Sequence, residues 1–438
     1  MIFLVSLFLL LTVLPASAFD AATRRFNLTS LTTGVQAFDF SASGFSEDCT
    51  AVPCAAIFIV TSAVAEDTHA SDAMLSVGFT DGLAQATSAT MSNNNVSTAA
   101  GRRAMRNDRV IESNESTGVT GIASFYDWTT TGLRIDITDA FPFAYYVTII
   151  IMGGDGFSAK VGSFTSNGAI DGTTDVNTVG FEPDALVLST TRMGTINSGG
   201  TTYVFSMGVA NNDVSSTQGS ISCYTEDGIT TDYNTGALTS SQYGLQTVAN
   251  AALGWGVQIG GWDASGFTVT TKGSALVAVG NYLALKFGGP NSTVVNIDTR
   301  TTTGLTSHAL GWKPLVGLVF GTLGRAYNVV ETDADAGQCM ISSFTDINQY
   351  ANSLGVRDGG TANLPTYSVS NDQGILMESN AGDCDVDVCF RGHEFVENTS
   401  MDLNYTSVFI SAVRKWIGFA IEDTTAVTAR RRGPGLLQ

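Results

Sequence analysis

The sequence predicts an all-β protein built from three tandem antiparallel β-sandwich repeats of about 130 residues each, of jelly-roll or immunoglobulin-like type. Period-2 runs of β-branched and aromatic residues are frequent, whereas helical spacing of Leu, Ala, Glu and Lys is rare. A proline that precedes a short apolar run occurs three times, at Pro53, Pro183 and Pro314, and these prolines are 130 and 131 residues apart. Other sequence blocks follow each proline in a constant order, which is the mark of an internal repeat.

Three sequence blocks follow the prolines. The first reads SVGFTDG at 76–82, SMGVANN at 206–212 and ISSFTDI at 341–347. The second begins at a glutamine and runs as a polar strand into an Asx-containing turn; the glutamines are Gln85, Gln218 and Gln349. The third is an apolar closing strand that begins at Tyr146, Tyr282 and Trp416. These blocks place the repeats at 35–154, 155–289 and 290–423, with a disordered tail at 424–438.

The N-terminus predicts export. Residues 1–18 form an apolar stretch that ends in Ala16-Ser17-Ala18, an A-x-A cleavage signature. The alternative is an N-terminal anchor helix, but the apolar segment is too short to span a bilayer. We therefore expect a cleaved signal peptide, a mature chain that begins at Phe19, a secreted or cell-surface location, and no membrane association after cleavage.

Residues 19–34 precede the first repeat and have no counterpart in the sequence of the others. Phe26 and Leu28 alternate with polar residues, as in a single strand. Such a strand pairs within its own domain, or it is donated to a neighbouring subunit and makes a homopolymer. Phe26 and Leu28 are therefore the candidate assembly residues.

Covalent modifications fit an exported chain. Two local disulfides are expected, Cys49 with Cys54 and Cys384 with Cys389. Cys223 and Cys339 remain, and their pairing stays open because it requires two repeats to touch. The predicted N-glycosylation sites are six sequons, although a chain rich in Ser, Thr and Asn also makes sequons by chance: Asn27, Asn95, Asn114, Asn291, Asn398 and Asn404.

Charge and motifs disfavour several function classes. The net charge of −19 repels nucleic acid. The chain has three histidines and no recognisable nucleophile–base, nucleotide-binding or zinc motif, so we expect no enzyme, no cofactor and no metal site. Asp333 and Asp335 before a glycine match only part of a calcium loop. The arginine-rich stretch at 100–113 is interpreted as a short helix or solvated loop, or as a contact for an acidic partner.

Aromatic residues leave one alternative open. Trp128 and Trp262 occupy the same repeat position, and Trp312 matches Phe181. Tryptophan at equivalent positions fits a core anchor of each sandwich, and it also fits a flat platform for sugars. Surface glycans are therefore a second candidate partner.

The block order resembles a tandem β domain of uncharacterised phage tail or virion-appendage proteins and environmental surface proteins. The resemblance covers all three repeats, and its motifs are structural: Gly180–Pro183, Ser76–Gly82, Gly266–Val269 and Tyr282–Gly289. It implies an extracellular or particle-surface structural role without catalytic residues. The signal peptide departs from virion proteins and shifts the expectation to a cell-exported component.

The sequence thus predicts an exported structural protein that self-assembles into an extracellular filament, appendage or surface layer. The alternatives are a secreted carbohydrate-binding or adhesion protein and a virion appendage protein, and a secreted glycosidase comes third, because its two catalytic carboxylates can lie far apart in sequence.

Overall fold

The computed structural model describes residues 19–424 except 67–69, 71, 94–100, 116–117, 214, 226–234, 250–251, 333–336, 357–365, 372–374, 379–385, 393–399 and 409–411. The all-β fold class is confirmed. The described chain forms six antiparallel sheets, and its helical structure is limited to one 3-10 turn at Ser41–Ser43. The predicted signal peptide at 1–18 and all but the first residue of the tail lie outside the described residues.

The first sandwich contains ten strands. Its large sheet has the order β1-β10-β3-β4-β5-β6, and its small sheet has the order β2-β9-β8-β7. The bounds are β1 (Asp20–Asn27), β2 (Gly34–Asp39), β3 (Cys54–Thr61), β4 (Ala73–Thr80), β5 (Gln85–Ser92), β6 (Gly101–Arg106), β7 (Ile111–Glu115), β8 (Gly118–Thr129), β9 (Gly132–Asp139) and β10 (Tyr146–Gly153).

The second sandwich adds one short strand, β14, which pairs with β6 of the first sandwich. Its large sheet is β11-β21-β13-β15-β16-β17 and its small sheet is β12-β20-β19-β18. The bounds are β11 (Ser158–Thr165), β12 (Thr173–Val176), β13 (Ala185–Thr190), β14 (Ser198–Gly200), β15 (Tyr203–Asn211), β16 (Gln218–Thr225), β17 (Thr235–Ser240), β18 (Leu245–Ala249), β19 (Ala252–Asp263), β20 (Gly266–Lys272) and β21 (Val279–Lys286).

The third sandwich has a large sheet β22-β31-β24-β25-β26-β27 and a small sheet β23-β30-β29-β28. The bounds are β22 (Ser292–Asp298), β23 (Gly304–Ala309), β24 (Pro314–Thr322), β25 (Gly337–Thr345), β26 (Gln349–Val356), β27 (Thr366–Asn371), β28 (Ile375–Glu378), β29 (Val386–Gly392), β30 (Ser400–Val408) and β31 (Lys415–Glu422).

Strand order is the same in the three sets of sheets once β14 is set aside. Within each large sheet four strands run as a meander, and the small sheet continues the meander before the chain returns. In each large sheet the last strand of the sandwich lies between the first and the third, as β10 lies between β1 and β3. The origin of the three sets in a repeated sequence unit remains a prediction.

Central strands of the large sheets bury both faces. All eight residues of β3 are buried. Ala56, Phe58 and Val60 face the core between the two sheets of the first sandwich, whereas Ile57 and Ile59 belong to a second cluster on the opposite face. Strands buried on both faces read as continuous apolar runs, which explains the uninterrupted AAIFIV segment.

The second cluster is a core shared by all three sandwiches. It combines residues from each large sheet, among them Ile57, Val187 and Leu318. A void of about 10 Å³ within it is lined by apolar side chains from the three sheets. Such a small apolar void stays dry. The outer faces of the large sheets therefore hold the sandwiches together around a common centre.

The N-terminal segment forms a strand of the first sandwich. Residues 20–27 form β1, which pairs antiparallel with β10 along its whole length. In strand order β1 is equivalent to β11 and β22, so the segment is not an extension without a counterpart. The sequence did not reveal that β1 is equivalent to β11 and β22, because these edge strands share only a loose alternation of apolar residues.

Candidate functional site

The repeated sequence blocks tie the two sheets of a sandwich together. Ser76 in β4 accepts a hydrogen bond at Oγ from the Glu112 backbone N–H at 3.3 Å. Ser206 in β15 accepts the equivalent bond from the Gln246 N–H, also at 3.3 Å. In both sandwiches a large-sheet hydroxyl thus satisfies a backbone donor of the small-sheet edge strand.

The glutamines that begin the second sequence block form a second set of hydrogen bonds between the two sheets. Gln85 Oε1 accepts a hydrogen bond from the Phe125 N–H at 2.8 Å, and Gln218 Oε1 accepts one from the Ile259 N–H at 2.8 Å. Each glutamine begins a large-sheet strand and reaches across to the long strand of the small sheet. The motifs carrying the repeat signal therefore have structural roles in the described chain.

The first and second sandwiches are joined by backbone and side-chain contacts. Strand β14 extends the first large sheet, with Ser198 opposite Met105. The Oγ atoms of Ser88 and Ser189 are 2.9 Å apart, and buried Asn281 donates from Nδ2 to the Thr87 carbonyl at 3.0 Å. The β6 edge is consequently covered within the molecule.

The second and third sandwiches are joined covalently. Cys223 in β16 and Cys339 in β25 form a disulfide, and both are fully buried. Beside it, Ala237 and Glu331 exchange two backbone hydrogen bonds at 3.0 and 2.9 Å. These contacts answer the question that the sequence analysis left open, because the two sandwiches do touch.

Strand β1 helps to close the ring between the first and third sandwiches. Thr23 Oγ1 lies 2.8 Å from Ser343 Oγ, and the Arg25 guanidinium lies 4.7 Å from the centre of the Tyr350 ring. Asn352 Nδ2 donates to Thr148 Oγ1 at 3.2 Å. The strand expected as a possible donor to another subunit is thus engaged inside its own chain.

The two predicted assembly residues are also engaged internally. Leu28 is fully buried, and its N–H donates to the Tyr145 carbonyl at 2.8 Å. Phe26 packs against Phe38 and Phe40, with ring centres 4.8 and 5.2 Å apart. Intramolecular packing thus occupies Leu28 fully and Phe26 in part.

The arginine-rich stretch lies on a strand and its following turn rather than on a helix. Arg106 Nε and Arg109 Nη1 donate to the Glu112 carboxylate at 2.7 and 3.0 Å, and Glu112 is fully buried. Asp108 also binds Arg109 and raises the pKa of its guanidinium. Burial lowers the pKa of Arg103 to about 10, and nearby Arg192 acts in the same direction. Arg106 and Arg109 thus neutralise the buried carboxylate of Glu112.

The predicted glycosylation sites differ in exposure. Asn27 at the end of β1 and Asn291 before β22 are exposed, and Asn291 Nδ2 donates to Glu422 Oε2 at 2.5 Å. Asn404 is half-buried in β30. Asn114 in β7 is only 5% exposed, so it is the least accessible acceptor among the four. Asn95 and Asn398 lie outside the described residues.

The tryptophans support the core interpretation. Trp128 packs on the first sandwich core, with its ring centre 4.7 Å from that of Phe125. Trp262 packs on the second core beside Phe267. Each tryptophan is half-buried against its own sandwich, as a core anchor would be.

Of the predicted disulfides, Cys49–Cys54 is present. Cys384 lies outside the described residues, so its pairing with Cys389 stays a prediction. The two disulfides indicate an oxidising, extracellular environment. Among the described residues no helix is long and apolar enough to cross a membrane.

Chemistry-bearing side chains are scattered in the described chain. His308 lies in β23, and burial lowers the pKa of its imidazole. His69, His393, Asp333 and Asp335 fall outside the described residues. No group of three or more His, Cys, Asp or Glu within the described ranges is arranged to hold a metal ion.

No family model, curated protein or solved structure matches this chain. The resemblance to tail and surface repeat domains rests on the sequence motifs alone.

Proposed function

We propose that this chain is an exported structural protein whose copies assemble into an extracellular filament, appendage or surface layer. The observation that carries the proposal is the closure of three sandwiches around one apolar core, fastened by the Cys223–Cys339 disulfide. A body of this kind resists unfolding outside the cell, as a structural subunit must.

Contacts between copies are best supplied by the small sheets. The large-sheet edges β6 and β17 are already covered by chain from the neighbouring sandwich. By contrast β2, β12 and β23 are edge strands of the small sheets and are exposed along much of their length. Exposed edge strands pair readily with another chain. Val35 on β2 and Leu305 on β23 add exposed apolar side chains.

The test measures self-association of the mature chain, residues 19–438, by light scattering over a concentration series and by electron microscopy. We expect ordered assemblies from the natural sequence. Val35→Lys combined with Leu305→Lys places a charge on two of the edges and is expected to leave monomers, because edge lysines oppose strand pairing. Ile170→Lys is the matched control, since Ile170 is equally exposed but lies outside any strand.

Two results would reject the proposal or its mechanism. A natural chain that stays monomeric at every concentration rejects self-assembly. Assemblies that persist in the double lysine variant reject the small-sheet edges as the contact. Removal of residues 19–34 is a separate case: it deletes β1 and buried Leu28, so we expect loss of folding rather than a folded monomer.

A further inference from the structure

Two arginine side chains lie at the junction of the first and second sandwiches. Arg103 is in β6, opposite Gly200 of β14, and its Nη1 donates to the Thr191 carbonyl at 3.3 Å. Thr191 comes directly after β13, and Arg192 is the next residue. The guanidinium group of Arg103 therefore lies against the segment that carries Arg192. We call these two side chains the arginine pair.

Neither member of the arginine pair forms an ion pair with a carboxylate in the described chain. Both side chains are half-buried, and burial lowers the pKa of each guanidinium group. The charge of Arg192 lowers the pKa of Arg103 further. Two positive charges that are partly removed from water and lack a counter-charge are costly to hold near each other. The arginine pair therefore favours a bound anion.

The hydrogen-bonding capacity of the pair is also largely unused. An arginine side chain carries several N–H donors, and Arg103 uses one of them in the bond to Thr191. Its Nε is enclosed by protein, because this atom is buried and would lie 2.9 Å from a Cβ atom on Gly200. The guanidinium group of Arg192 makes no hydrogen bond to any described residue. The donors open to a ligand are therefore the terminal nitrogens of Arg103 and the guanidinium group of Arg192.

The junction between the second and third sandwiches shows that the fold does not require this pair. Arg103 in β6 and Ala237 in β17 are equivalent, because they pair with equivalent residues of β5 and β16. Arg192 and Leu323 are equivalent because they follow their block prolines at nearly the same spacing along β13 and β24. Ala237 and Leu323 are both buried. Two apolar residues thus stand where the first junction has two charges.

We propose that the arginine pair binds a phosphate or sulfate group, either as the free anion or as an ester on a glycan. A guanidinium group presents parallel N–H donors that match the oxygens of such a group. A dianion also balances both positive charges, whereas acetate or chloride leaves one of them unbalanced. This site is separate from the small-sheet edges proposed for self-association, so it can bind its ligand whether or not the chain assembles.

The test titrates the mature chain, residues 19–438, with sodium sulfate, sodium phosphate and glucose 6-phosphate by isothermal calorimetry. Sodium acetate and sodium chloride at matched ionic strength are the comparisons. We expect sulfate and phosphate to bind with a dissociation constant of about 1 mM, and acetate and chloride to bind about tenfold more weakly. The ester distinguishes the two sources. If glucose 6-phosphate binds as tightly as phosphate, the ligand is an ester; if only the inorganic anions bind, it is the free anion.

Variants assign the binding to the arginine pair. Arg103→Gln and Arg192→Gln each remove one charge, and each is expected to weaken sulfate binding at least tenfold, an effect of about 1.4 kcal/mol. Arg24→Gln is the matched control, because Arg24 is also half-buried but lies on β1 and donates to the Asp39 carbonyl. Thermal melting shows whether each variant is folded. Arg192→Gln decides the test if Arg103→Gln does not fold.

Urea unfolding gives a second, independent measurement. At a sulfate concentration tenfold above the dissociation constant, the ratio of folded to unfolded protein is expected to rise about tenfold, and this rise should be absent in Arg192→Gln. Three results overturn the proposal: no saturable binding of sulfate or phosphate, binding of acetate or chloride that is equally tight, and unchanged sulfate affinity in a folded Arg192→Gln variant.

Discussion

At the scale of single residues, the first sandwich buries a charged carboxylate, that of Glu112, whose removal from water is energetically costly. Two arginines, Arg106 and Arg109, offset the cost of removing its charge from water. The sequence located the arginine cluster but not its partner, because the contact depends on how the turn between β6 and β7 folds back. At the equivalent position the second sandwich uses neutral Gln246.

Arg106→Met is expected to lower the free energy of unfolding by about 3 kcal/mol, because it leaves the buried charge of Glu112 only partly neutralised. Adding Glu112→Gln removes that charge and should restore part of the loss. Urea denaturation of the two single variants and the double variant measures the coupling. If the loss in the double variant equals the sum of the single losses, the two side chains are independent and the interpretation is wrong.

At the scale of elements, the S-x-G blocks explain how two sheets can lie close together. A Cβ atom at Gly78 would lie 1.8 Å from the Val110 carbonyl oxygen, and one at Gly208 would lie 2.0 Å from the Gly244 oxygen. A glycine in a strand interior marks such a close backbone approach. The block and its spacing are visible in the sequence. The reason for the glycine is not, because it depends on the close approach of two segments that are more than 30 residues apart in the chain.

Gly78→Ala is expected to destabilise the protein by about 1–3 kcal/mol, since the added methyl group forces the small-sheet connection away. Gly260→Ala is the matched control: Gly260 also lies in a strand, but a Cβ there meets no atom within 4 Å. Thermal unfolding of both variants makes the comparison. Equal melting temperatures would show that the approach at Gly78 is not restrictive.

Much of the element level was predictable and some was not. The sequence blocks at the prolines, the glutamines and the closing strands predicted the positions of most large-sheet strands correctly. Strongly apolar runs can be recognised as strands without knowledge of the tertiary structure. The strand at Phe26 and Leu28 was predicted, and β1 pairs within its own sandwich; its equivalence to β11 and β22 was missed, because its apolar alternation fits any half-buried strand.

At the scale of the whole molecule, the three sandwiches pack against one another through a shared apolar core. Tandem repeats alone do not predict that their sandwiches pack together, because a two-layer sandwich normally presents a polar outer face. The uninterrupted apolar runs, such as Ala55–Val60, were the available signal that the outer faces of the large sheets are also buried. Which faces meet could not be read from one sequence.

Replacing Cys223 and Cys339 by alanine is expected to lower the free energy of unfolding by about 5 kcal/mol, because this disulfide closes a long loop, with a sequence separation of 116 between the two cysteines. The matched control removes Cys49 and Cys54, which are only 5 residues apart, and should cost about 2 kcal/mol. Guanidinium denaturation measures both. Equal losses would contradict the view that Cys223–Cys339 stabilises by linking two sandwiches.

The position of β1 has a consequence for the order in which the chain can mature. This strand is the first of the described elements to be synthesised, yet Thr23 contacts Ser343, 320 residues later. While the chain is synthesised from N- to C-terminus, β1 can pair with β10. The contacts of Thr23 and Arg25 with the third sandwich can form only after that sandwich has been synthesised. Completion of the ring is therefore a late, post-synthetic event, and a chaperone that shields the surface around Thr23 and Arg25 in the interval would raise the yield of native protein.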